Sequence, residues 1–176
     1  MPPKDIVAEL PSPEQLSAYQ TGCSPGGAGG FALRKHFRNN LLLAAEVCEK
    51  LERPADALLY LDEALRVDPS DPTTDMRPTT HALGHALRGR MLAAQGKKEA
   101  AEAAFEEAIE VSHRTGLRLL EMFALRDLKK HVLDADGRGD EGIRRLKAVL
   151  REMKGPPAEL TKLLGEGLDA EAILRS

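Results

Sequence analysis

The sequence predicts an all-α protein built from antiparallel helical hairpins, and three observations support this. Leu and Ala make up most of the apolar fraction, and both residues favour closely packed helices. From residue 31 onward the apolar residues recur at helical spacing, with glycine or proline between successive stretches. In every second predicted helix, small residues flank a bulky apolar residue at matching positions. Such spacing is typical of helix pairs that lie against one another.

Composition and charge exclude several classes of function. The 176-residue chain has a net charge of −3, so no overall positive field attracts nucleic acid or anionic membranes. It has no Trp and few other aromatic residues on which bases could stack. Two cysteines, Cys23 and Cys48, are too few for a disulfide framework, and no apolar run approaches a membrane span. We therefore expect a soluble, cytoplasmic protein that binds neither nucleic acid nor membrane.

Residues 1–30 are predicted to form an N-terminal tail. Ser12 is a good N-cap, and Pro13 suits the first position of a short helix. The stretch TGCSPGGAGG, residues 21–30, has the composition of a flexible linker.

Six helices are predicted between residues 31 and 154, followed by one or two short closing helices in 155–176. The predicted boundaries are Phe31 for the start of the first helix, Pro54 for the second, a Pro-rich loop over 68–80 with Thr80 as N-cap of the third, and glycines at 96, 116 and 137 for the ends of the third, fourth and fifth helices.

An internal repeat is visible in the second helix of each hairpin. In the middle hairpin a small residue, a bulky apolar residue and a second small residue follow one another at fixed spacing. The aligned triplets are Ala57–Leu61–Ala64, Ala101–Phe105–Ala108 and, in a degenerate form, Gly142–Leu146–Val149. Small side chains allow close approach of the paired helix, and the bulky side chain fills the space between hairpins.

At these positions the chain resembles tetratricopeptide (TPR) repeat proteins. The segments that show this resemblance are ADALLYLDEALRVDP and RGRMLAAQGKKEAAEAAFEEAIEV. The segment AEAAFEEAIEVSHRTGLRLLEMFALRDL is more specifically similar to the C-terminal TPR regions of large bacterial signalling proteins with adenylate-cyclase-type or ATPase modules. The resemblance implies a right-handed superhelix of about three repeats over 31–154, capped by residues 155–176.

The resemblance also implies a function as a protein-interaction scaffold. In TPR domains the first helix of each hairpin lines a concave face on which a peptide or partner helix docks. The corresponding residues here are Asn39, Glu46, Lys50, Arg90, Asp127, His131 and Asp134. The paired Lys and Asn residues of the family's peptide-carboxylate clamp are not assembled, which disfavours binding of chaperone tails. Because no motif supplies a nucleophile, general base or phosphate loop, we predict neither enzymatic activity nor a cofactor.

Two alternative functions remain open. The first is a self-associating regulatory region of a larger signalling enzyme, since the related regions adjoin catalytic modules. An acidic stretch, 97–112, and a basic stretch, 126–154, are consistent with it, although solvated outer faces are the favoured explanation of such charges. The second is a calcium- or metal-dependent helical protein.

Two motifs motivate the metal-dependent alternative. LDADGRGDEG, residues 133–142, resembles half of a calcium loop, but Arg138 and Arg145 occupy positions that need ligand oxygens, so we predict a turn. His81 and His85 lie one helical turn apart without an evident third ligand. We therefore expect packing histidines and no metal site.

Overall fold

The structure is a computed structural model that describes the backbone of residues 28–66 and 77–176, with side chains from residue 38 onward. The predicted helix at Ser12 and most of the predicted 68–80 loop lie outside the described residues. Within the described ranges the chain is helical and has no strand, which confirms the all-α prediction.

Eight α-helices occur in the described ranges, and the fifth continues into a π-helical turn. They are α1 Ala28–Lys50, α2 Pro54–Ala64, α3 Pro78–Ala94, α4 Lys98–Arg114, α5 Arg118–Leu128 with the π-helical turn Lys129–Leu133, α6 Gly139–Glu152, α7 Pro157–Leu164 and α8 Ala170–Arg175. The chain divides into two compact units, Met1–Asp75 and Met76–Ser176, and each is described by itself. Their boundary lies inside the predicted 31–154 repeat domain.

The first unit contains the α1–α2 hairpin. Leu41, Ala45 and Cys48 of α1 are buried with Ala57 and Leu61 of α2. Burial raises the pKa of the Cys48 thiol, so this side chain remains protonated and behaves as a small apolar group. Helix α1 begins at Ala28, inside the predicted 21–30 linker, because adding residues to an existing helix is far less costly than starting one.

The second unit begins with two successive hairpins, α3–α4 and α5–α6. Helix α3 starts at Pro78 with Arg77 as N-cap, so the prediction of Thr80 as N-cap is wrong. Proline fits the first helical position because its φ is already helical and no N–H is needed there. Gly96 and Gly137, at the two hairpin turns, have φ of +74° and +72°, a conformation that favours glycine.

The repeated triplets lie in the core, as predicted. Ala57, Ala101 and Ala108 are fully buried and Ala64 is 1% exposed. Phe105, Leu61 and Leu146, the bulky members, are also fully buried. The small-residue pattern in the sequence therefore marks the surfaces along which helices meet.

Two short helices follow the second hairpin of this unit, as predicted for 155–176. Helix α8 packs against α6 and α7, and its residues Ala170 and Ile173 are buried. The Asp169 side chain caps α8 by accepting hydrogen bonds from the backbone N–H groups of Glu171 and Ala172. None of the described helices is both long enough and apolar enough to cross a membrane.

Candidate interaction surface

Three of the predicted concave-face residues belong to the first unit. Asn39, Glu46 and Lys50 lie on α1 with exposed side chains. Their exposure is compatible with partner contact, and their role stays a prediction.

Arg90 and Asp127, two other predicted residues, bind each other. An Arg90 Nη1 atom lies 3.0 Å from Asp127 Oδ2, and Arg126 contacts the other carboxylate oxygen at 2.7 Å. Asp127 is only 4% exposed, so its charge depends on these two guanidinium groups. The pair links α3 to α5, the first helices of successive hairpins. In this conformation the Asp127 side chain holds α3 against α5 and is largely shielded from solvent.

His131 and Asp134, the last two predicted residues, lie at the end of the fifth helix. The half-buried His131 ring stacks on Phe105 with a centroid separation of 6.4 Å and an interplanar angle of 13°. The exposed Asp134 carboxylate accepts from Lys129 Nζ at 2.8 and 2.9 Å. His131 therefore contributes to packing, whereas Asp134 lies at the surface.

A cleft of about 530 Å³ opens beside the Arg90–Asp127 pair. One wall comes from α5 and its π-helical turn, and the other from the loop between α7 and α8. Its lining residues are Arg126, Asp127, Lys129, Lys130, Asp134, Leu164, Gly165, Glu166, Gly167 and Leu168. Two of the predicted concave-face residues, Asp127 and Asp134, thus line a surface large enough for several side chains of a partner.

The π-helical turn and the α7–α8 loop were not predicted as parts of this surface. In the turn, the Asp134 N–H donates to the Lys129 carbonyl at 2.9 Å, which is one residue wider than α-helical spacing. Gly165 and Gly167 have φ of +83° and +84° and form the opposite wall. Helical periodicity does not distinguish a π-helical turn, whereas the Gly-Glu-Gly sequence was a usable loop signal.

The stretch resembling a calcium loop is a hairpin turn. Asp134 is bound by Lys129, and Asp136 accepts from Lys98 Nζ at 2.6 Å. With lysine ammonium groups on these carboxylates and Gly137 at the bend, the turn prediction for 133–142 agrees with the geometry.

Acidic and basic stretches meet within the chain, along the seam between α4 and α6. Arg145 forms a bidentate pair with Glu106 at 2.5 and 2.6 Å, and Arg138 binds Glu102 at 2.9 Å. The hydrogen bonds that Arg145 donates to Glu106 raise the pKa of Arg145 above its usual range. Part of the charge that suggested solvated faces or a partner is therefore satisfied between two helices of the same unit.

A third polar cluster lies between α3 and α4. The Nε2 atoms of His81 and His85 are 3.0 Å apart, and the ring centroids are 4.5 Å apart at 84°. Burial, the neighbouring His81 and the charge of Arg88 lower the pKa of His85 to about 4, so this imidazole is neutral at neutral pH.

Comparison with known proteins gives one match. Residues 84–112, from the middle of α3 to near the end of α4, match the family model of the tetratricopeptide repeat. No match was found among curated proteins or among solved structures. The more specific likeness to bacterial adenylate-cyclase and ATPase signalling proteins remains a prediction. The α3–α4 hairpin is thus similar to a tetratricopeptide repeat, which supports a protein of the TPR type.

Proposed function

We propose that this protein is an interaction module whose second unit binds a short segment of a partner protein in the cleft beside Arg90 and Asp127. Repeats of this type generally mediate protein interactions through the inner helices of the stack. The cleft is the observation that supports this site, since it adjoins α5 and includes two residues that the family resemblance assigns to the concave face.

The size of the cleft suits a few side chains rather than a whole domain. Ligand-sized clefts in proteins measure roughly 300–1,000 Å³, and about 530 Å³ falls within that range. A partner would therefore insert a short stretch of chain.

The charges of the cleft indicate what that stretch contains. Asp127 and Asp134 are matched by Arg90, Arg126 and Lys129. Lys130 and Glu166 are exposed and form no ion pair with the other described residues. They offer one positive and one negative group, so the proposed segment is polar and has side chains of both signs.

Site-specific photo-crosslinking tests this proposal. A photo-reactive amino acid is placed at position 130 in the cleft or at position 151 on α6, where Arg151 is also exposed and makes no ion pair with a described residue. Exposure of both proteins to a cell lysate should give a discrete adduct at position 130 and none at position 151. Unlabelled Arg151→Glu protein, added as a competitor, should reduce capture at position 130, whereas unlabelled Lys130→Glu protein, which binds the partner less well, should not. Equal adducts at both positions would contradict the cleft as the binding site.

The same experiment separates the self-association alternative, which remains a prediction. An adduct with the mass of two chains, together with concentration-dependent light scattering, would favour binding of a second copy. A monomer at high concentration that still gives a heterologous adduct at position 130 would support the proposed function.

A further inference from the structure

The most convergent group of ligand-type side chains in the described residues lies away from the cleft, between α3 and α4. His81 and His85 project from successive turns of α3, and Glu107 projects from α4. One ligand atom from each of the three lies within 4.8 Å of the other two. From the sequence alone, His81 and His85 are candidate ligands without a third, because Glu107 is distant along the chain and approaches only through the hairpin.

The local packing explains how the three side chains meet. Residues four apart share one face of a helix, which places the two imidazoles together. Gly89 lets the Phe105 ring lie directly against the α3 backbone, and a Cβ atom there would be 2.7 Å from two ring carbons. The resulting close approach of α4 to α3 brings Glu107, two residues after Phe105, to the histidines.

We propose that His81, His85 and Glu107 bind a divalent transition-metal ion, with zinc as the expected occupant, and that the ion ties α3 to α4. Two imidazole nitrogens and one carboxylate oxygen form a known zinc donor set that leaves one coordination position open. Calcium and magnesium are disfavoured because both prefer sites made of oxygen ligands. The open position accepts water or a side chain of a partner.

The distance between the two histidine nitrogens requires only a small adjustment. Zinc–nitrogen bonds of about 2.0–2.1 Å at a tetrahedral angle place two ligand nitrogens roughly 3.3 Å apart. The Nε2 atoms of His81 and His85 are 3.0 Å apart, so a displacement of the rings by a few tenths of an ångström suffices. One imidazole now donates its Nε2 proton to the other, and on binding it takes the tautomer protonated at Nδ1. Metal binding at this pair thus replaces one hydrogen bond and needs no net loss of a proton.

The charges around the site have opposing effects. Arg88 lies near enough to act electrostatically on His85, and its positive charge weakens attraction of a cation. Glu107 brings a negative charge into the ligand set itself. We therefore expect micromolar rather than tighter affinity.

Isothermal titration of the full-length, chelator-treated chain with zinc chloride tests the proposal. The expected result is one ion per chain, with affinity lowered at least about 10-fold by His81→Gln, His85→Gln or Glu107→Gln. His113→Gln and Glu110→Gln, which alter the same residue types elsewhere on α4, should leave the affinity within about 2-fold. Zinc at 100 times the dissociation constant should also raise the melting temperature by about 5 °C or more.

Glu107→Gln keeps the test decisive if a histidine variant fails to fold, since it changes only one side chain at the edge of the cluster. Cobalt(II) provides an independent readout, because a tetrahedral site with nitrogen ligands gives visible absorption that the three ligand variants should abolish. Absence of binding would overturn the proposal. So would binding that the ligand variants leave intact but that substitution of Cys23 and Cys48 removes.

Discussion

Phe105 in the α3–α4 hairpin and Leu146 in the α5–α6 hairpin occupy matching positions, and both are fully buried. The residues around them differ. In the first hairpin, Gly89 brings the α3 backbone into contact with the Phe105 ring, and Ala101 and Ala108 complete a surface of small side chains. The second hairpin has Gly142 and Val149 at the positions of the two alanines.

The α5–α6 hairpin also relies on features that the first lacks. A π-helical turn ends its first helix, and Arg138 and Arg145 anchor its second helix to α4 by ion pairs. The α3–α4 hairpin matches the repeat family, at 84–112. One hairpin is therefore held mainly by shape, whereas the other also depends on charge.

Phe105→Ala should produce the largest loss of stability. Removing a fully buried ring leaves a cavity between Gly89 and His131, for which we expect about 3–5 kcal/mol, measured by urea denaturation. Leu146→Ala in the other hairpin should cost about 2–4 kcal/mol, and Leu119→Ala, at a 42% exposed side chain, less than about 0.5 kcal/mol. Equal losses at Phe105 and Leu119 would refute the shape-based account of the first hairpin.

Gly89→Ala should destabilise the chain by about 2 kcal/mol, because overpacking against a buried ring outweighs the gain of about 1 kcal/mol in helix propensity. The new Cβ would lie 2.7–2.8 Å from three atoms of Phe105. In a Phe105→Ala background the same change should become stabilising, since the ring is gone. A loss that persists in that background would show that the ring is not the obstacle.

Gly142→Ala is the comparable glycine substitution in the α5–α6 hairpin, at the position that Ala101 occupies in the α3–α4 hairpin. Its Cβ would meet the Lys129 side chain at 2.8–3.2 Å, and most of that side chain can move. We expect a smaller loss, about 1 kcal/mol, also measured by denaturation. A larger loss here than at Gly89 would reverse the comparison between the hairpins.

The sequence was sufficient for the helical hairpins because periodicity, turn glycines and small residues are local signals. Ala101, Ala108 and Gly137 were all interpreted correctly from spacing alone. The candidate sites were harder to predict from the sequence, because they depend on side chains from distant positions along the chain. Position in the repeat predicts Asp127 as a groove residue, whereas in the structure Arg90 and Arg126 bind its carboxylate. Sequence spacing likewise does not relate Glu107 to His81 and His85.

Acidification should lower the stability of the α3–α4 hairpin through His85. Its folded pKa of about 4 lies below the ordinary value of 6.5, so the unfolded chain takes up this proton first as pH falls. The associated stability is therefore present above pH 6.5 and is lost as pH falls towards 4. For a partly buried imidazole we expect on the order of 1–2 kcal/mol.

His85→Gln isolates this contribution, because the amide remains neutral across the range. Denaturation of both proteins in the presence of a chelator should show a stability difference that changes between pH 7 and pH 4.5. Both proteins retain His81, Arg88 and Glu107, so the effects of these residues on the pH dependence of stability largely cancel. A difference that stays constant with pH would mean that His85 titrates alike in the folded and unfolded chains.

Salt should weaken the ion pairs between α4 and α6, with a small effect on the stability of the chain. Arg145 and Glu106 are 30% and 42% exposed in their side chains, and such a pair contributes about 0.5–1 kcal/mol, less at high salt. Arg145→Glu should therefore destabilise the chain by about 1 kcal/mol at low salt, and the double reversal with Glu106→Arg should recover part of the loss. Arg144→Glu, at an exposed neighbour with no ion pair to a described residue, is the control. Two results would contradict a stabilising role for these ion pairs: a double reversal that restores no stability, or a loss that salt does not change. Helix α6 would then be held by the packing of Leu146 and Leu150 alone.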